Sequence, residues 1–218
     1  MARRRGKAWR VLAVSAAVLA ATAGGCQMIP FLFAPRHPKQ TIKAEYHLQA
    51  ERLVVVPYVG NDVLFEFPTA SIDISSAVMY QIAAHLRQDV QTVVHPVEVA
   101  RWQEANLEWP NISLVDIAKA FEADTLLYVE IERYTMVEEF SANLLRGHVR
   151  ARVQVVRVGA DRNPAFETTV ETLFPEDQPV GVMEVPDRQL RQVTTRLFAR
   201  DVIRTFYDYE VEIKGGRE

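Results

Sequence analysis

Two stretches in the middle of the chain alternate apolar and polar residues with a period of two. In the first, Leu127, Val129 and Ile131 interleave with Tyr128, Glu130 and Glu132. In the second, Val149, Ala151, Val153 and Val155 interleave with His148, Arg150, Arg152 and Gln154. Successive side chains of a strand point to opposite faces, so each stretch predicts a strand with one buried and one polar face. Joined as an antiparallel hairpin around residues 139–144, the two pair with a constant residue sum of 282. That register sets Glu130 opposite Arg152 and Glu132 opposite Arg150. Opposite charges facing each other across strands stabilise by roughly 0.2–1 kcal/mol per pair. A turn through Gly159–Pro164 leads to residues 165–173 (AFETTVETL), a third strand that brings Glu171 near Arg152. The result is a three-stranded meander.

Elsewhere the periods differ. Leu53-Val54-Val55-Val56-Pro57 is a continuous β-branched run, the signature of a strand buried on both faces. A loop with Gly60, Asn61 and Asp62 follows. Ile74, Val78, Ile82 and Leu86 recur four apart within residues 71–87, the stripe of an amphipathic helix. Thr92–His95 is a second short strand, and Pro96 suits the first position of a helix running to about Leu107. Ser113 stands three residues before Asp116, close to a capping box, and opens a helix with Ile117, Ala118 and Phe121 on its apolar side. Residues 174–186 hold three prolines and Gly181, a loop long enough to act as a lid. Leu190, Val193, Leu197, Val202 and Phe206 mark a last helix over 187–208. The expected fold is a single α/β (α+β) domain over residues 45–213: a mixed sheet, its second half an antiparallel meander, with helices packed on it. Residues 214–218 form a tail.

The first residues read differently. Arg3, Arg4, Arg5, Lys7 and Arg10 precede an apolar run at 11–23, and small residues follow. This is the order of a secretory signal peptide over 1–25. Its removal leaves 20 of the 25 basic residues against all 28 acidic ones, a net of −8. Such an acidic domain repels phosphate backbones, so no nucleic-acid partner is expected. Two cleavage sites overlap. Ala21-Thr22-Ala23 suits ordinary signal peptidase; Ala23-Gly24-Gly25-Cys26 suits lipoprotein processing. Cys26 is the only cysteine, so it has no disulfide partner within the chain. Lipidation explains a lone cysteine at this place, and acyl chains such as palmitate would hold the protein at a membrane. Residues 26–44, with Pro30, Pro35 and Pro38, then read as a tether. Gln27 gives no Asp retention signal, which points to the outer membrane of a bacterial envelope, facing the periplasm.

Catalytic chemistry finds little support. His37, His47, His85, His95 and His148 show no metal-ligand spacing. There is no G-x-S-x-G elbow, Walker loop or G-x-G-x-x-G. Glu130 and Glu132 are expected on a solvated face opposite arginines, not as an acid–base pair. The expectation is therefore no catalytic residue, no metal and no cofactor. A protein partner or self-association is expected instead, on the polar meander face: Tyr128, Glu130, Glu132, Tyr134, Arg150 and Arg152. Trp102 and Trp109 are a second candidate surface, or core.

The order of elements also resembles a group of bacterial envelope proteins. The group contains the N-terminal domain of the Tol-system propeller protein TolB, the curli-secretion lipoprotein CsgG and the penicillin-binding-protein activator LpoB. The likeness covers residues 53–173 and rests on Ile117-Ala118-Lys119, Ala123-Asp124 and Leu126-Leu127-Tyr128-Val129. It implies a non-enzymatic envelope lipoprotein that binds other proteins as an assembly or transport accessory. It supplies no catalytic residue. A small-ligand or glycan-binding module is the alternative.

Overall fold

The computed structural model describes residues 39–141 and 143–212. The signal segment, Cys26, most of the tether and the 214–218 tail lie outside those residues.

The chain forms a mixed α/β fold. Its main sheet has the order β3-β2-β4-β5-β6, with β7 paired to β5. These strands are β2 (Ala50–Tyr58), β3 (Val90–Val93), β4 (Thr125–Val137), β5 (Leu144–Arg157), β6 (Phe166–Phe174) and β7 (Val180–Gly181). β2 runs parallel to both neighbours, with Leu53 between Val93 and Thr125. Parallel neighbours require crossovers. Helices α1 (Asn61–Glu66) and α2 (Ala70–His85) make the first; α3 (Pro96–Ala105) and α4 (Leu114–Ala120) make the second. The last helix is α5 (Asp187–Arg204). Thr41–Tyr209 form one compact unit holding this sheet and these helices.

The two faces of the sheet are covered unequally. On one, Ile74, Val78 and Ile82 of α2 and Leu190, Phe198 and Val202 of α5 pack on Leu53, Val55, Leu127, Val129, Val149 and Val153. On the other, α3 and α4 bury only the near half, around Val54, Val56, Leu126 and Val156. β2 is thus buried on both sides, as its unbroken apolar run requires. Among the described residues no helix lies over the far half of that second face, carried by β4, β5 and β6. Its outward residues are the alternating polar ones.

The meander forms, but its register departs from a constant sum. Glu130 pairs with Arg152 and Ile131 with Ala151, as expected. Arg133, not Glu132, then lies opposite Arg150, and Tyr134 lies opposite Val149. Glu132 is an extra residue in β4, a β-bulge. One added residue inverts the parity of everything beyond it. Tyr134, expected on the polar face, therefore turns inward. It is 6% exposed and its hydroxyl lies 3.1 Å from Thr195 Oγ1 of α5. A second correction concerns β6: Glu171 pairs with Arg150, and Arg152 faces Thr169.

Other differences are local. Asn61 and Asp62, expected in a loop, instead open α1, which has no buried residue and so left no apolar stripe to read. Lys39–Ile42, assigned to the tether, form β1, which pairs with β8 (Tyr209–Glu212). The prolines that argued against a strand stop at position 38. Lys39 Nζ and Glu210 Oε2 lie 2.9 Å apart. The 174–186 loop contains β7, laid along Leu144 and Leu145.

Candidate functional site

The uncovered half of the sheet carries a lattice of ion pairs. Arg150 Nε lies 3.1 Å from Glu132 Oε2. Arg152 Nε lies 3.6 Å from Glu130 Oε2 and 3.7 Å from Glu132 Oε1. The bulge makes this possible: Glu132 has no direct partner across the ladder, so its carboxylate leans between both arginines. The pairing of Glu132 with Arg150 survives as a side-chain contact although the backbone register does not provide it. On the neighbouring rows, His148 Nε2 lies 2.6 Å from Glu171 Oε1, and Arg133 Nη1 lies 3.3 Å from His148 Nδ1. Arg133 also approaches Glu139 at 3.6 Å. Gln154 donates to Glu167.

These groups remain open to solvent. Arg150 and Arg152 side chains are 50% and 43% exposed, Glu132 and Glu130 31% each. Pairs so exposed contribute about 0–1 kcal/mol to folding. Their value to stability is small, while their accessibility and alternating charge suit complementary recognition.

Tyr128 stands where the helical cover ends. It packs against the second core beside Trp109 and Val158. Burial, then the neighbouring Glu130 and Tyr58, push its phenol up from 10.0 to about 12, with Arg152 opposing. Burial likewise raises the Tyr134 phenol, against its hydrogen bond with Thr195. Five of the six residues expected on this face are thus brought together, and Tyr134 is not. The arrangement of His148 with Glu171 and Arg133 was missed. The polar face of His148 was legible; Glu171 reaches it diagonally from β6, and the bulge in β4 brings Arg133 beside it.

Other candidates resolve into packing. Trp102 sits edge-on to Phe121 at 5.3 Å and Trp109 edge-on to Tyr58 at 5.7 Å. Both tryptophans are half-buried against the second core. His95 Nδ1 accepts from Val97 N–H and caps α3. His85 stacks on Tyr207 with centroids 4.7 Å apart. Among the described residues no three His, Cys, Asp or Glu side chains converge as a metal site. No described helix is long and apolar enough to cross a membrane.

Two hollows flank α5. One of about 600 Å³ lies between the 174–178 segment and Leu197 and Arg200. A larger one of about 870 Å³ lies between α2 and α5. Sequence reading missed the larger cleft. Its only trace is Arg188, Arg191 and Arg196 on one side of the last helix.

No protein-family model matches the chain, and no curated protein matches its sequence significantly. Solved structures similar to it include the PelC dodecamer from Paraburkholderia phytofirmans. That match has 12% identity and a TM-score of 0.42, and covers 78% of this chain and 98% of that one. They also include the lipoprotein GNA1162 from Neisseria meningitidis, with 15% identity and a TM-score of 0.40, covering 67% of this chain and 94% of that one.

Proposed function

We propose that this chain is a non-enzymatic lipoprotein of the bacterial envelope, anchored through lipid on Cys26, that binds another protein or a second copy of itself. The single observation that supports binding is the half of the sheet face that no described helix covers. Tyr128, Glu130, Glu132, Arg150 and Arg152 stand together there, in pairs too exposed to matter much for stability. The basic, apolar and small-residue order of residues 1–25 supports export, and the isolated Cys26 supports lipidation. The likeness of residues 53–173 to the TolB, CsgG and LpoB group supports an accessory role in envelope assembly or transport.

Two measurements test this. Gentle solubilisation of membranes should co-purify a partner or a larger assembly, and Arg150→Glu with Arg152→Glu should abolish it by turning both arginines against Glu130 and Glu132. Recovery of the bare monomer from the wild type would overturn the binding role. Mass spectrometry of the mature N-terminus should find a diacylated or triacylated Cys26; an unmodified start at Gly24 would overturn the anchor.

A further inference from the structure

The cleft between α2 and α5 concentrates positive charge on an acidic chain. Arg188, Arg191 and Arg196 line one wall together with Thr195. At about 100° per residue these positions span an arc of about 140°, one side of the helix. The facing wall, from α2 and the residue before it, offers a single carboxylate, Asp73. That carboxylate already accepts from Thr69 Oγ1 at 2.7 Å. Among the described residues none of the three arginines lies within 4.0 Å of a carboxylate, whereas Arg133, Arg146, Arg150 and Arg152 on the meander all do.

A second feature is independent of the charge. Gln81, on the α2 wall, is only 8% exposed, and its amide makes no side-chain hydrogen bond to another described residue. Gln81 and Gln192 both line the cleft and can donate to an oxyanion or a hydroxyl. Arg191 is already positioned, its guanidinium 5.6 Å from the centre of the Phe67 ring. Tyr80, 70% exposed, stands at the rim as a flat face for stacking.

Size and spacing narrow the ligand. A volume of about 870 Å³ is in the range of small-molecule sites. Arg188 and Arg196 are eight residues apart, about 12 Å along the helix. Side chains rooted at that spacing can together hold a ligand that carries more than one negative charge. We propose that this cleft is a binding site for a small polyanionic ligand, its charges carried by carboxylate or phosphate groups. This goes beyond the protein-binding role of the sheet face and does not rest on it.

Calorimetric titration of the full mature protein at low salt tests the proposal with two probes, trigalacturonate for carboxylates and inorganic pyrophosphate for phosphates. Saturable one-to-one binding of at least one probe is expected, and the tighter one identifies the oxyanion class. Arg191→Gln and the double variant Arg188→Gln, Arg196→Gln should each weaken it at least tenfold. Arg101→Gln, an exposed arginine on α3, should leave it unchanged. Circular dichroism melts confirm that each variant is folded; should Arg191→Gln unfold through loss of Phe67 packing, the double variant decides. Absence of binding by both probes up to 10 mM, or equal weakening by Arg101→Gln, would overturn the cleft as a site. Either result leaves the sheet-face reading where it stands.

Discussion

Deleting Glu132 should be nearly harmless, while deleting Glu130 should come close to unfolding the protein. The reasoning follows from the bulge. With Glu132 gone, Ile131 still pairs with Ala151, Arg133 with Arg150 and Tyr134 with Val149, as they do already. Strict alternation is restored and every inward residue stays inward. What is lost is a carboxylate with contacts at 3.1 Å and 3.7 Å to two exposed arginines, together worth about 1 kcal/mol. With Glu130 gone, Ile131 must take the outward position and Glu132 the inward one. Ile131, 7% exposed, forfeits about 1.5–3 kcal/mol of burial. An unpaired carboxylate in the core costs about 3 kcal/mol or more. Shifting the other half of the strand instead would unseat Leu127 and Val129, both fully buried. The sum, about 5 kcal/mol, rivals the whole stability of an ordinary domain. Urea denaturation followed by circular dichroism measures both, the midpoint moving at constant slope. Equal costs for the two deletions, or a greater cost at Glu132, would refute the bulge as the device that sets parity.

Further expectations can be checked in the same assay. Gly147→Ala would drive a Cβ into the Oγ1, Cγ2 and Cβ of Thr194 on α5; it should cost about 1–3 kcal/mol, partly recovered in the double variant with Thr194→Ala, and additivity of the two would contradict this contact. Ser113→Ala should cost about 1 kcal/mol, because Ser113 Oγ accepts from Asp116 N–H at 3.2 Å and donates to Asp116 Oδ2 at 2.6 Å; a change under a few tenths would mean the cap is idle. Tyr128 prefers its neutral phenol, with its pKa raised from 10.0 to about 12. Its contribution is therefore complete below pH 10 and lost as pH climbs to 12. Tyr128→Phe should flatten the fall in urea midpoint across that window; an unchanged fall would assign the loss to other groups.

Residues whose environment is set by near neighbours were legible in sequence. Leu53–Val56 read as a strand buried on both faces because no polar residue interrupts it, and α3 and α4 on one side with α2 on the other supply that burial. Ser113 read as a cap because its partner, Asp116, lies within one turn. Glu130 and Arg152 were matched because, among the registers that keep both apolar sets on one face, this one sets opposite charges against each other. α1 was missed for the converse reason: a surface helix of six residues with no buried position has no period to detect.

The tertiary structure alone decided three things. It placed the bulge at Glu132, which sent Tyr134 into the core and drew one carboxylate between two arginines; alternation is a local rule, and nothing within β4 says where it skips. It left half of one sheet face without any of the described helices, because that depends on where α3 and α4 land and not on the polarity of β5. It set Arg188, Arg191 and Arg196 across from Gln81, more than a hundred residues away in the chain. Sequence pattern determines which way a side chain faces relative to its neighbours, since backbone geometry repeats every two or 3.6 residues. What it faces is a matter of long-range packing, and that repeats with no period at all.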